Sequence, residues 1–381
     1  MSRLEELIQK LCPNGVEYKP LSDKTLFAFR YGKGNKIPED TGGQYDVYGA
    51  NGIVSHIDEY NCEDVTIIGH IGAVGLINRV KGKCFVTYNG TIATVVDKEK
   101  VDSQYLYYVL TTLDLPSRKK GSQPFLSVSD FDKIAIPVPP LEVQREIVRI
   151  LDSFTLLTAE LTAELTARKK QYQHYLNSFF ENQTDNLVPL SSLGTITRGK
   201  RFVHADATET GVPCIHYGEL YTFYGVHANT VKSHIREELR PKMRYAHKGD
   251  VIIVGAGENN IDIGVGVAWE GNEDVAVHDA CYTLCHSQNS KYISYYLRSD
   301  MYHNQIKKYV SEGKICSISA TGLGKALIPL PSIAEQERIV EILDRFDSLC
   351  NDISIGLPAE IEARQKQYEF YRDKLLSFKQ L

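Results

Sequence analysis

The sequence is short of everything that marks a catalyst. No HExxH run offers a zinc ligand pair, and no Asn/Asp-Pro-Pro-aromatic run is present to hold a flipped adenine for methylation. GAGENN at 255–260 lacks the third glycine of a dinucleotide loop, and GLGKA at 322–326 lacks the spacing and the Ser/Thr of a phosphate loop. There is also no apolar run long enough to span a bilayer and no signal-peptide h-region. The eight cysteines follow no framework spacing, which suits reduced thiols. A soluble, cytoplasmic chain without a membrane partner is therefore the expectation. An excess of positive charge is missing as well: the net charge is −5 over 381 residues, which disfavours a simple nucleic-acid-binding domain but allows local basic faces. That length suggests two or three domains, each with its own core.

What the chain does have is a long internal repeat. IPVPPLEVQREIVRILDSF (136–154) returns as IPLPSIAEQERIVEILDRF (328–346), an offset of 192 (328 − 136). Identities in register include Gln144 with Gln336 and the Ile-Leu-Asp triplet. ARKKQY at 167 returns as ARQKQY at 363, so the second copy has gained four residues. Upstream, SQYLYYVL (103–110) resembles SKYISYYL (290–297), and EDVTIIG (63–69) resembles GDVIIVG (249–255). A period this long signals a domain duplication rather than a solenoid.

Each copy of the signature reads as a helix start, with Pro139 and Pro140 placed ahead of the first turn. From Ile147 a seam runs through Leu151, Phe154, Thr158, Leu161, Leu165, Arg168, Tyr172, Tyr175 and Phe179 in alternating steps of four and three. The second copy follows with Ile339, Leu343, Phe346, Cys350 and Ile353, meets IGLP at 355–358, and resumes through Ile361, Arg364, Tyr368, Tyr371, Leu375 and Phe378. Gly356 and Pro358 predict a break or sharp bend. Two long helices with matching seams are expected to pair as an antiparallel coiled coil, a strut with one globular module at each end. The tetrad Thr-Ala-Glu-Leu stands twice, at 158–161 and 162–165. One tetrad is about a helical turn, so changing the copy number would alter strut length by ~6 Å and twist by about 40°.

The modules themselves are rich in short β-like runs punctuated by glycine, with ANG and YNG turn signals and helices near 103–112 and 290–304. The expected fold class is α+β: two duplicated modules of twisted, mainly antiparallel sheet with short helices, separated by two long helical regions. Expected boundaries are 1–15 for an N-terminal helix, 16–137 and 183–329 for the modules, 138–182 for the central helix and 330–381 for the distal helical region. His278, Cys281, Cys285 and His286 have the residue types of a zinc site. Strand alternation puts the two cysteines on one face and the two histidines on the other, so no metal is expected and buried core cysteines are the reading.

Basic and amide-rich loops recur at equivalent places. One follows the first apolar strand of each module: Arg30, Lys33 and Lys36 in the first, Arg198, Lys200 and Arg201 in the second. Another precedes each Ile-Pro-x-Pro signature: Arg118, Lys119, Lys120 and Gln123, then Lys307 and Lys314. Lys242 and Arg244 extend the second set. Any one such loop is ordinary solvated surface; recurrence points to phosphate contacts by Lys and Arg and base reading by Gln or Arg. Gln123 is equally suited to stabilising a turn.

Together the Pro-x-Pro…Gln…Ile-Val…Ile-Leu-Asp helices, LTAELTAELTARKKQYQHY, LPAEIEARQKQYEFYRDKLL and LCPNGVEYKPL near the N-terminus resemble the specificity subunit of type I restriction–modification enzymes. The resemblance implies two target-recognition domains, each reading half of a bipartite double-stranded DNA target. It implies helices that set the gap between halves and dock methyltransferase subunits, two of them, with Gln144, Ile147, Leu151, Phe154, Leu161, Leu165, Tyr172, Gln336, Ile339, Leu343, Phe346, Tyr368 and Tyr371 on the pairing and docking faces. A motor/endonuclease subunit would join for cleavage. The chain itself would be non-catalytic and carry no cofactor, with S-adenosylmethionine bound on the methyltransferase partners that modify adenine N6. The IGLP break departs from a symmetric coil. A protein-binding adaptor with two ligand-binding heads, or a self-sufficient nuclease or methyltransferase, would be the rival readings.

Overall fold

A computed structural model describes residues 2–34, 36–115, 117, 125–183 and 186–381. It divides into two compact units, Met1–Thr162 with Glu360–Leu381, and Ala163–Ala359.

In the first unit, α1 (Arg3–Leu11) starts on a Ser2–Glu5 capping box. Strands β1 (Tyr18–Pro20) and β8 (Ala135–Pro137) pair antiparallel at the base of the module. The main sheet has six strands in the order β2 (Phe27–Tyr31), β7 (Gly90–Val95), β5 (Cys62–Gly69), β6 (Ile77–Val86), β3 (Tyr45–Gly49) and β4 (Gly52–Ile57). Every neighbour pair is antiparallel except β3–β6. The ANG signal makes the β3–β4 hairpin, where Gly52 takes φ 104, a conformation glycine adopts without steric cost. The helix expected near 103–112 is α2 (Ser103–Thr111), capped by Asp102. Its buried Tyr105, Leu106 and Tyr108 pack with Phe27 and Ile68 of the sheet. α3 (Val128–Phe131) closes the module ahead of β8.

α4 (Leu141–Glu181) is one helix of 41 residues; its first part belongs to this unit and the rest to the other. Within the first unit, Ile147 and Leu151 are fully buried and share a core with Leu376 of the C-terminal segment. Farther along α4, Phe154 stacks on Tyr371 at 5.5 Å. The partner positions descend as α4 ascends, which is antiparallel pairing. Leu161 and Leu165 of the tetrads are half-buried. The polar seam residue Thr158 folds its hydroxyl back onto the Phe154 carbonyl at 3.0 Å, and Arg168 pairs with Glu164 on its own helix.

The second unit opens with β9 (Leu187–Pro189), which forms a two-stranded sheet with Leu327–Pro329, and holds two mixed sheets of five strands, one of them edged by β10 (Gly194–Arg198), which pairs with Cys281–His286. α5 (Glu219–Thr222) and α8 (Ala320–Gly324) are single turns. The helix expected over 290–304 is instead two, α6 (Ser290–Tyr296) and α7 (Asp300–Ile306). Ser299 ends the run by capping α7, accepting from the Tyr302 amide, and Arg298 turns aside to donate to the Gly225 and Gly266 carbonyls. Trp269, Tyr292, Tyr295, Tyr296 and Tyr302 fill a core that also takes Leu176 and Phe180 of α4 and Ile339 and Leu343 of α9 (Ile333–Asn351). Tyr175 stacks on Phe346 at 5.2 Å, and earlier on α4 Arg168 and Lys169 lie near Cys350, farther along α9, so these two helices also run antiparallel.

The distal helical region breaks where glycine and proline foretold. α9 ends at Asn351, and α10 (Leu357–Leu375) begins with Pro358 in its first turn. Asp352 accepts from the Ser354 and Ile355 amides, and a Cβ on Gly356 would stand 2.5 Å from the Ser348 carbonyl oxygen. The expected seam therefore stops at Cys350. Ile353, counted in it from spacing alone, lies in this turn and is 81% exposed. Among the described residues no helix is long and apolar enough to cross a membrane.

Candidate nucleic-acid interface

Both modules deliver a lysine by the same piece of backbone. β2 runs into Tyr31-Gly32-Lys33 and β10 into Arg198-Gly199-Lys200. The Gly32 amide donates to the Gly90 carbonyl (2.8 Å) and the Lys33 amide to Val86 (2.9 Å). In the second module the Gly199 amide donates to Cys281 and the Lys200 amide to Val277, both at 2.9 Å. Parallel bridges join Lys33 to Thr87 and Lys200 to His278. A Cβ on Gly32 would stand 2.0 Å from the Thr87 oxygen, and one on Gly199 would stand 2.2 Å from the His278 oxygen. Only glycine admits this approach, so the Gly-Lys dipeptide is a structural unit and not a chance of composition.

The second basic loops are equivalent too. Ile71 bridges Phe125 and the Leu126 amide donates to the His70 carbonyl. Correspondingly, Ala256–Gly257 pairs with Cys316–Ser317, and the Ile318 amide donates to Gly255. These pairings fix the ends of the loops that carry the charges. Arg118, Lys119, Lys120 and Gln123 lie outside the described residues. Lys314 lies just before its strand and is exposed.

Arg30, Lys33, Lys36, Arg198, Lys200, Arg201, Lys242, Arg244, Lys307 and Lys314 are all exposed, and no carboxylate neutralises any of them among the described residues. The cations on the long helices differ: Arg149, Arg338, Arg345, Arg364 and Lys366 each pair with a glutamate three or four residues away. Carbonyl oxygens orient three of the module arginines without cancelling their charge. Arg30 donates to Asn61 (3.1 Å), Arg198 to Asp279 (2.6 Å) and Arg244 to Arg198 (2.6 Å). Lys307 stands apart from this set, because it lines a groove of about 1210 Å³ with Asp262, Asp300, Glu312, Asp347 and Asp352. The field there is negative, which suits Lys307 poorly to a phosphate.

Aromatic rings accompany the lysines, a feature that charge counting passed over. Tyr31, 43% exposed, packs against His70 at 4.8 Å, and Phe125 meets the same imidazole edge-on at 5.6 Å. In the second module Phe202, His216 and Tyr217 surround His278, with Phe202 at 4.9 Å and His216 at 4.6 Å. The His278 Nδ1 accepts from the Ala280 amide, which assigns the proton to Nε2, donating to the Phe202 carbonyl at 3.1 Å. Burial, and then the neighbouring His216, hold His278 below its ordinary pKa. The sequence signal was an aromatic residue close to each Gly-Lys, Tyr31 directly before the first and Phe202 two residues after the second, but its ring partners lie well over ten residues away.

The residues expected on the docking faces divide into two groups. Ile147, Leu151, Ile339 and Leu343 are buried seam residues, while Phe154, Leu161, Leu165, Tyr172, Phe346 and Tyr368 are half-buried and Tyr371 is 37% exposed. Gln144 and Gln336 are fully buried and fasten each module to its helix. The Gln144 carbonyl accepts from the Asp102 amide at the start of α2 (2.9 Å), and its amide donates to Pro139 (2.7 Å). Gln336 repeats this with Asn289 (3.1 Å) and Pro331 (3.0 Å). The tyrosines complete the clamp. Tyr108 donates to Asp152 (2.6 Å) and Tyr105 to Pro137; Tyr295 donates to Asp344 (2.7 Å) and Tyr292 to Pro329. The repeated Gln and the Asp of Ile-Leu-Asp thus meet the repeated Ser-x-Tyr-x-x-Tyr of the short helix.

No group of three or more metal-ligating side chains is placed to hold an ion among the described residues. Cys281 is buried as the strand reading required, but Cys285 is exposed, because the strand reaches the module surface at its end.

Residues 25–168 and 185–363 match the type I restriction modification DNA specificity domain family. The chain is 32% identical over 393 aligned positions, covering 98% of both proteins, to a type I restriction enzyme specificity subunit of Haemophilus influenzae. It is 35% identical over 313 positions to the EcoR124I/EcoR124II specificity subunit of Escherichia coli, covering 75% of this chain and 74% of that one. Its fold is also that of the S subunit of a type I restriction–modification system from M. genitalium (TM-score 0.57, 14% identity, 96% of this chain and 97% of that one). A chain from a structure concerned with complex assembly and conformational transition in the type I system aligns with TM-score 0.60 at 17% identity, over 96% of this chain and 98% of that one. This is therefore a protein of the type I restriction–modification specificity family. Its role is to supply DNA target specificity to a multi-subunit assembly, and it is not the catalytic member.

Proposed function

We propose that the modules at 16–137 and 183–329 are the two target-recognition domains, each reading one half of a bipartite DNA site. The observation that carries this is the duplicated Gly-Lys unit, set beside aromatic rings and free of neutralising carboxylates in both copies. Lys33 and Lys200, with Arg30, Lys36, Arg198, Arg201, Lys242, Arg244 and Lys314, contact phosphates, and arginine or Gln123 contacts base edges. The helical segments 138–182 and 330–381 set the distance between half-sites and present the docking faces. The partners are two methyltransferase subunits, which carry S-adenosylmethionine, and a motor/endonuclease subunit. Support for the spacing role comes from the continuity of α4 through both tetrads.

The test is binding of the full chain, assembled with its methyltransferase partners, to duplexes carrying the native site, either half alone, or both halves at altered spacing. Specific, salt-dependent binding that needs both halves is expected. Binding indifferent to sequence and salt would leave a protein-binding adaptor as the better account.

A further inference from the structure

Two thiols in the first module stand together for no reason that DNA reading requires. Cys62 opens β5 and Cys84 lies opposite it on β6 as its cross-strand partner. Their sulfurs are 3.5 Å apart. Both cysteines are buried, Cys84 fully and Cys62 with 8% exposure, so Cys62 is the side from which a small oxidant would enter. Closing the gap to a bond of about 2.05 Å needs a shift on the order of 1.5 Å, within reach of side-chain rotation and a small strand movement. The strand is already irregular there: register shifts between Glu63 and Val65, and Asp64 takes φ 51.

The pair also sits under the cations assigned to phosphate contact. Asn61, the residue before Cys62, accepts from Arg30 through its carbonyl (3.1 Å). Its side chain grips Val86 at both ends, donating to the carbonyl and accepting from the amide, each at 3.0 Å. That same Val86 carbonyl receives the Lys33 amide at 2.9 Å. Arg30 and Lys33 are thus anchored on residues one and two positions from the two sulfurs.

We propose that Cys62 and Cys84 form an oxidisable dithiol site that closes to a disulfide under hydrogen peroxide and loosens the hold of this module on its half-site. Cys62 loses its proton, and the thiolate attacks one peroxide oxygen, breaking the O–O bond and expelling hydroxide, which takes up that proton; the products are a sulfenic acid and water. Cys84 then attacks the sulfenic sulfur, forming the S–S bond and expelling a second water. Two thiols and one peroxide become one disulfide and two waters. The strain of closure falls on Asn61 and Val86 and displaces Arg30 and Lys33.

The covalent step stands on the sulfur geometry alone; its effect on DNA rests on the reading of this module as a target-recognition domain. The experiment treats the full chain, in complex with its methyltransferase partners, with hydrogen peroxide under native conditions. Free thiols are then alkylated and the digest is read by mass spectrometry. A peptide pair cross-linked between Cys62 and Cys84 is expected, absent after dithiothreitol and absent from Cys62→Ser and Cys84→Ala, either of which suffices should the other fold poorly. Affinity for the native site should drop on the order of tenfold on oxidation and return on reduction, as for loss of one or two charged contacts. Oxidation confined to the exposed Cys285, with Cys62 and Cys84 both alkylated after denaturation, would overturn the site. A cross-link that leaves DNA affinity unchanged would overturn the coupling while leaving the recognition reading untouched.

Discussion

Lys33 and Lys200 carry most weight at the residue scale, because their positions are dictated by backbone that only glycine permits. Replacing either by alanine should lower the salt dependence of DNA binding by about one unit of slope in log K against log salt, with specificity unchanged. Lys307→Ala should change it little, since the groove that Lys307 lines is rich in carboxylates. The clamp is testable as well. Tyr108→Phe removes the hydrogen bond to Asp152 and should cost ~1 kcal/mol of stability in the first unit; Tyr295→Phe should do the same in the second, read by thermal melting. A third expectation concerns pH. Burial lowers the pKa of His216, His278, His286 and His303 in the second unit. The unfolded chain takes up protons near 6.5 while the folded chain resists them, so unfolding binds protons and stability falls as pH drops through and below that value. Denaturant melts of the second unit between pH 7.5 and 5 should show the decline, and His278→Gln should flatten it.

Helices were the most legible elements. The four-and-three seam foretold a long helix within 138–182, and the tetrads sit in it without interruption because Ala, Glu and Leu are strong helix formers and Thr158 satisfies itself on its own backbone. Gly356 and Pro358 marked the distal break correctly. Ile353 was misplaced because heptad counting ignores where the cap falls, and the break at Ser299 was missed because a serine cap inside an apolar run is a weak local signal. The aromatic clusters around His70 and His278 were not legible: their members meet only through sheet pairing between distant segments. Gln144 and Gln336 were visible as repeats, but their clamp role needed the short helices to be placed. At this scale the expectation is for deletion of residues 162–165. Removing one tetrad shortens the helix by ~6 Å and turns it by about 40°. Methylation mapping should show both half-sequences retained with a changed gap; retention of the original gap would end the ruler reading.

On the scale of the whole molecule, duplication explains the composition. Catalytic motifs are absent because specificity and chemistry belong to different subunits in this family, and an acidic total is compatible with DNA binding because local sets of unpaired cations stand on each module. The central claim is that two independent heads on one chain each read half of one DNA site. A module exchange tests this most directly. The segment 16–137 is replaced by its counterpart from a relative of different specificity, and the methylated sequence is mapped in cells that supply the partner subunits. The account predicts that one half of the target changes to the donor's while the other half and the gap stay fixed. A target altered in both halves, or in neither, would contradict it.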